Sequence, residues 1–238
     1  GGPGTCGILV FNETLYNSNF PDHPGGGNVK FTNPWGGYNY SDAIEVKEDG
    51  GTPGFLQVMK TALCLNLKNK MGVENMKDRE KELLNLCFSE MQKIDGLTIL
   101  GDLDTERIGC VSFTIKDIHY NLIVRLLNDR FGIQVRGGWS CASTYAHFLL
   151  HIDEEKSAQI TNGILQKNLT EKPGWVRVSL HPTMTNKELL FIINSIKDIV
   201  ENYKDWEKAY QYNCVTNEFD SLIIKETIEE EVREWFLL

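Results

Sequence analysis

The sequence predicts an α/β protein whose helices pack on a small sheet. Three observations carry that expectation. From Leu97 onward, short apolar runs alternate with amphipathic helical stretches. Before them, residues 53–93 show helical spacing of apolar side chains, with a break or kink expected near Gly72. The composition is that of an ordinary globular chain: 238 residues, 41% hydrophobic and 24% charged.

The elements follow in order. Gly7-Ile8-Leu9-Val10-Phe11 is a short apolar run leaving a glycine-rich turn, and reads as a buried strand. Residues 12–51 are rich in Gly, Pro, Asn and aromatics, so a long loop is expected, docked through Phe31, Trp35, Tyr38 and Tyr40. Thr52 and Pro53 then open a helix, as N-cap and first helical residue. Phe55, Met59, Ala62, Leu63 and Leu67 form its stripe up to Gly72. A second helix runs over about residues 77–93, with Leu83, Leu84, Cys87 and Met91 inward. The two read equally as one long helix kinked near Gly72.

Residues 97–100 and 108–115 are predicted strands, separated by a polar turn. Residues 118–130 form a helix with Leu122, Leu126 and Leu127 inward, stopped at Gly132. Residues 133–135 are a strand that leads into a sharp turn at Gly137-Gly138. A helix over 154–168 and a strand over 175–180 follow. Thr185-Asn186-Lys187-Glu188 is a capping box that starts a helix to about Tyr203, burying Leu189, Ile192, Ile193, Ile196 and Val200. The tail from Trp206 is amphipathic and acidic, including Glu229-Glu230-Glu231, and its expected default is a solvated face.

The bulk properties exclude some roles. A net charge of −9 argues against nucleic acid or an anionic membrane as the main partner. No apolar run approaches the roughly 18–20 residues that span a bilayer. Six cysteines stand at 6, 64, 87, 110, 141 and 214, without a CxxC pair or a Cys/His cluster. That spacing gives no zinc or iron–sulfur signature, and a reducing cytoplasm is the economical compartment. Gly1-Gly2-Pro3-Gly4-Thr5 reads as a turn between structured elements, so a fragment of a longer protein is expected.

Three stretches carry candidate chemistry. In Arg136-Gly137-Gly138-Trp139-Ser140-Cys141-Ala142 a guanidinium lies five residues before a thiol, which favours the nucleophilic thiolate; the competing reading is a surface turn with an inert cysteine. In Gly50-Gly51-Thr52-Pro53-Gly54 a helix start with free N–H groups would favour an anion such as phosphate. Arg177, on the strand Trp175-Val176-Arg177-Val178-Ser179, suits a carboxylate grip, although from that segment alone an exposed strand arginine is the better reading. His119, His147 and His181 have no adjacent acid or nucleophile in sequence and read as structural.

Taken together, Gly1-Gly2-Pro3-Gly4-Thr5, Pro24-Gly25-Gly26-Gly27, Glu48-Asp49-Gly50-Gly51-Thr52-Pro53-Gly54, the Arg136 to Ala142 stretch and Arg177-Val178-Ser179 resemble the class V aminotransferases. This family of pyridoxal 5'-phosphate enzymes includes cysteine desulfurases and selenocysteine lyases. The resemblance extends to about Tyr203. It implies the C-terminal part of the pyridoxal-phosphate-dependent transferase fold type I. Residues 1–52 would be the end of the large cofactor-binding domain with an interface loop, 53–95 connecting helices, 96–204 the small α/β domain and 205–238 the tail.

The resemblance also implies roles. Gly51 and Thr52 look like the segment that reaches the cofactor phosphate of a neighbouring subunit, in a homodimer of the full-length protein. Arg177 matches the arginine that binds the carboxylate of an amino-acid substrate, and Arg136 the arginine shortly before the loop cysteine. Cys141 matches the cysteine that accepts sulfur in desulfurases and is dispensable in aminotransferases. Trp139 departs from the smaller residue common in relatives. The lysine that forms the Schiff base precedes the glycine-rich turn in such enzymes, so none of the lysines here takes that role. The alternative expectation is a non-catalytic fragment or interaction module.

Overall fold

The computed structural model describes residues 2–223 and 228–237. The chain divides into two compact units, Gly1–Val73 and Glu74–Leu238.

The first unit holds a hairpin of β1 (Val29–Thr32) and β2 (Tyr38–Tyr40), a single helical turn α1 (Ile44–Lys47) and the helix α2 (Phe55–Met71). Its polar staple is Asn28, fully buried. The Asn28 amide donates to the carbonyls of His23 and Lys47 at 3.2 and 3.1 Å, and its Oδ1 accepts from the Gly25 N–H at 3.2 Å. Here the two glycine-rich motifs meet. A Cβ on Gly25 would stand 2.9 Å from the Gly51 nitrogen, and one on Gly50 only 2.4 Å from the His23 carbonyl oxygen. The glycines permit a backbone contact that any side chain would prevent.

Several expectations fail in this unit. Ile8, Leu9, Val10 and Phe11 form no strand and are exposed. Among the described residues β1 and β2 pair only with each other, and no strand lies beside the run. Phe31, Trp35 and Tyr38 are exposed rather than docked, although Phe20, Tyr38 and Tyr40 cluster with ring centroids 5.4–6.3 Å apart. Thr52 does not cap the helix. α2 begins at Phe55 with Gly54 as N-cap, and no side chain satisfies its first N–H groups. The stripe of Phe55, Met59, Leu63 and Leu67 is helical as expected but exposed.

Gly72, at φ 81° and ψ 120°, ends α2. α3 (Val73–Met91) follows, and Leu83, Leu84, Cys87 and Met91 are buried as the spacing predicts. The second unit is built on a four-stranded antiparallel sheet of order β3-β4-β6-β5. Its strands are β3 (Leu97–Ile99), β4 (Cys110–Ile115), β5 (Arg136–Gly138) and β6 (Trp175–Ser179). Because strand side chains alternate, Val111, Phe113, Ile115, Val176 and Val178 share one face. They form the core with α3, with α4 (Tyr120–Phe131) and with α7 (Asn186–Trp206). Cys110, Ser112, Thr114, Arg136 and Arg177 share the other face.

α5 (Ser143–Leu149) and α6 (Glu154–Leu165) lie between β5 and β6 in the chain. His147 ties them together. Its Nδ1 donates to the Ser143 carbonyl oxygen at 2.7 Å, and its Nε2 is hydrogen-bonded to the Ser157 hydroxyl at 2.9 Å. The capping box at Thr185 is present with both of its hydrogen bonds, and α7 buries Leu189, Ile193, Ile196 and Ile199. Ile192 and Val200, expected inside, are half-buried at the margin of the core.

Two further expectations need correction. Residues 133–135 are not the strand; Arg136, Gly137 and Gly138 are, as the sheet edge paired with β6. The glycines are therefore strand residues, and the sharp turn comes after them. The stretch beyond Trp206 holds a hairpin of β7 (Tyr210–Asn213) and β8 (Glu218–Ser221), followed by α8 (Ile228–Trp235). The side chains of Glu229, Glu230 and Glu231 lie outside those described.

Candidate active site

The site is assembled at the sheet edge. Gly132, left-handed at φ 65°, ends α4 and turns the chain back toward β6. Antiparallel pairing then sets Arg136 directly opposite Arg177, and Arg177 opposite Ser112 on its other side. The Nε of Arg177 is buried and has no hydrogen-bond partner. Neither arginine forms an ion pair with a carboxylate among the described residues. Like charges directly opposite each other on a sheet are destabilising. An anion bound between or above them would remove that cost, and a carboxylate matches guanidinium geometry best.

Gly137 is required by what lies behind it. A Cβ there would be 2.4 Å from Asn121 Oδ1, 3.0 Å from Val124 Cγ2 and 3.1 Å from Tyr120 Cδ2. Gly138, at φ 92°, leaves the strand. Ser140 and Cys141 then adopt φ of 52° and 62°, two consecutive left-handed residues that are not glycine. Such backbone costs on the order of 1–2 kcal/mol per residue and persists where the surroundings impose it. The Ala142 N–H closes the turn on the Trp139 carbonyl at 2.9 Å.

This turn puts the Cys141 thiol on the surface, where Arg136 Nη2 donates to its sulfur at 3.4 Å. Cys87 shows the opposite environment. It is buried beside Met91, and desolvation pushes its thiol up to about 12. Of these two thiols, only Cys141 combines access with a cation, the condition for a nucleophilic sulfur. It opens onto a recess of about 400 Å3 whose lining includes Trp139, Ser140, Lys172, Tyr120 and Asn217. The Trp139 ring meets His147 edge-on at 5.4 Å and carries the Lys172 ammonium 5.3 Å from its centroid. The Trp139 Nε1 and Ser140 Oγ are buried without partners.

Gly51 and Thr52 belong to the first unit. The Gly51 N–H donates to the Gly26 carbonyl at 2.7 Å and its φ is 99°. Thr52 is exposed beside it. The structure thus sets Arg136, on the edge strand β5, opposite Arg177 on β6 and beside the sulfur of Cys141 in the turn that follows β5.

Sequence reasoning missed Tyr120, Asn121 and Asn217. Tyr120 and Asn121 follow a helix cap and look like ordinary first-turn residues. Asn217 lies in the turn of the β7–β8 hairpin. Its signal was the alternation of Tyr210, Tyr212 and Phe219 on either side of Cys214-Val215-Thr216-Asn217, which points to a hairpin but not to a role.

The profile of the aminotransferase class-V family matches residues 1–191, and the chain belongs to that family. It is 28% identical over 148 residues to a probable cysteine desulfurase of Staphylococcus epidermidis, covering 62% of this chain and 35% of that protein. It is 24% identical over 176 residues to one of Staphylococcus aureus, covering 69% and 42%. Among solved structures, the apo cysteine desulfurase of Thermococcus onnurineus aligns with TM-score 0.62 at 21% identity, over 76% of this chain and 40% of that one. A C-DES variant with glycine covalently linked to its PLP cofactor aligns with TM-score 0.53 at 14% identity, over 75% and 38%. The mixed α/β fold is thus that of the cysteine desulfurases. The chain spans 35–42% of the length of these relatives.

Proposed function

We propose that this chain forms the substrate-gripping and sulfur-accepting part of a pyridoxal-phosphate-dependent, desulfurase-like enzyme acting on an amino acid. The observation that carries the reading is the pairing of Arg136 with Arg177 across β5 and β6, with Arg136 also donating to the Cys141 sulfur. It supplies an anion grip and, next to it, a thiol beside a cation.

The residues of the first unit fit the phosphate end of the cofactor. Thr52 offers an exposed hydroxyl donor, while Gly51, its N–H already committed to Gly26, contributes a backbone shape without a side chain. The group, when bound, supplies an electron sink for bonds at the substrate α- and β-carbons. In the proposed arrangement Thr52 serves a neighbouring subunit of a homodimer in the full-length protein. We place the protein in a reducing cytoplasm on the spacing of its cysteines.

The chain's own steps are few. Arg177 binds the substrate carboxylate and fixes its orientation. Arg136 holds a cationic donor beside the Cys141 sulfur. The Cys141 sulfur attacks the substrate sulfur; an S–S bond forms as the C–S bond breaks, and the electron pair of that bond stays with carbon.

The test is Cys141→Ser in the full-length protein, assayed for sulfur and alanine release from cysteine. A loss of at least about a hundredfold is expected, because no other group supplies that nucleophile. Undiminished sulfur release would remove Cys141 from the reaction. Transamination that survives the substitution while no sulfur is released from cysteine by the parent protein would assign the chain to an aminotransferase.

A further inference from the structure

The β7–β8 hairpin lies beyond the family-matched region, which ends at residue 191, yet it reaches the wall of the Cys141 recess. Asn217 makes that contact. It is buried, at 7% exposure, and left-handed at φ 63°. Its Nδ2 donates to the Tyr120 hydroxyl, and its Oδ1 accepts from the Tyr212 hydroxyl at 2.9 Å. Its backbone carbonyl accepts from the Asn121 amide. Every polar group of the side chain is thus engaged, which fixes its position.

Tyr120 and Asn121 both pack closely behind the Arg136 strand. A Cβ on Gly137 would collide with Asn121 Oδ1 at 2.4 Å, and one on Gly174 would meet the Tyr120 ring at 2.6–2.9 Å. Gly174 directly precedes β6, and Gly138 pairs with Trp175. Asn217 therefore clamps a pair of side chains on which both β5 and the start of β6 rest. His119 extends the clamp. Its Nδ1 caps α4 by accepting from the Asn121 N–H at 3.1 Å, and its ring packs 5.3 Å from both Tyr212 and Phe219 of the hairpin. A second tie runs from the Leu169 N–H to the Cys214 carbonyl at 2.8 Å, close to Lys172 of the recess.

We propose that Asn217 is a positioning residue for Cys141. Through Tyr120 and Asn121 it fixes β5, and with β5 the guanidinium of Arg136 beside the Cys141 sulfur. The proposal rests on the reading of Cys141 as a reactive thiol, and the readout below does not require the sulfur-transfer reaction to occur.

The experiment measures the rate of iodoacetamide alkylation at Cys141, resolved by peptide mass spectrometry in the intact protein. Asn217→Gly is the informative variant, because glycine keeps the left-handed backbone and the carbonyl that Asn121 uses while deleting the side chain. Tyr120→Phe removes only the hydroxyl and keeps the ring against Gly174. Both variants are expected to slow Cys141 alkylation about threefold or more at neutral pH, as the sulfur loses its fixed cation. In an Arg136→Met background the effect of Asn217→Gly should vanish, because the residue acts through that guanidinium. An unchanged rate in both variants would overturn the proposal. So would an undiminished Asn217 effect without Arg136, or faster labelling of the buried Cys87, which would signal general loosening. If Cys141→Ser leaves sulfur release intact, the proposed reaction fails, but the Asn217 to Cys141 coupling is judged separately by alkylation.

Discussion

The two units use apolar residues in opposite ways. In the second unit, Leu83, Phe113, Ile123, Val176 and Ile196 are all fully buried, and strand alternation sends them to the face where α3, α4 and α7 pack. Among the described residues of the first unit only Pro21 and Asn28 are buried, and the equally periodic stripe of α2 lies open. Both stripes look alike in sequence. Periodicity says which side chains want cover; it does not say that the same chain supplies it. The second unit is held by area removed from water, the first by a hydrogen-bonded asparagine and closely approaching glycines.

The sharpest way to break that contrast is a pair of truncations. Phe113→Ala should cost about 3–5 kcal/mol, because it leaves a cavity between a central strand and its helices. Leu63→Ala, at a site 67% exposed, should stay within about 0.5 kcal/mol. Urea unfolding followed by circular dichroism compares them. An equal loss for Leu63→Ala would mean that the α2 face is covered in solution.

A smaller effect sharpens the account of the first unit. Asn28→Ala removes three hydrogen bonds of a fully buried side chain and strands the carbonyls of His23 and Lys47. Leaving such groups unsatisfied costs about 1–3 kcal/mol. Limited proteolysis should show faster cleavage within residues 20–50, with the second unit's hydrogen-exchange protection unchanged.

How far the sequence reveals the structure follows the same division. α3, α4 and α7 were legible because their stripes, the Gly132 stop and the Thr185 capping box are local signals that tertiary packing reinforces. The α2 start was misread because Thr52-Pro53 has the chemistry of a helix opening, while the Gly50-Gly51 segment is instead held against residues 23–26. The β5 strand was misplaced by one short run, since Ile133 and Val135 have strand propensity and glycine does not. What selects Arg136-Gly137-Gly138 is the space in front of Asn121 and Tyr120, a long-range contact without a sequence trace. At the site, Arg136 near Cys141 was expected from spacing, whereas the opposition of Arg136 and Arg177 needed the register of two strands far apart in the chain.

The smallest predicted effect concerns a histidine of the clamp. Desolvation at His119 holds its imidazole below the ordinary value of 6.5. The folded state therefore resists the proton that the unfolded chain takes up. The stability this group contributes is fully present above about pH 6.5, and it falls as pH drops through that value toward the lower folded one. His119→Asn keeps an oxygen that can cap α4 at the same position and removes the titration. The expected outcome is a urea midpoint for the second unit that declines between pH 7 and 5 in the parent and declines less in the variant. Asn at His23, an exposed position of the first unit, should leave that decline in place. Equal slopes for the parent and His119→Asn would show that the ring is not desolvated in solution, and the hairpin would then not be seated on α4 as the structure has it.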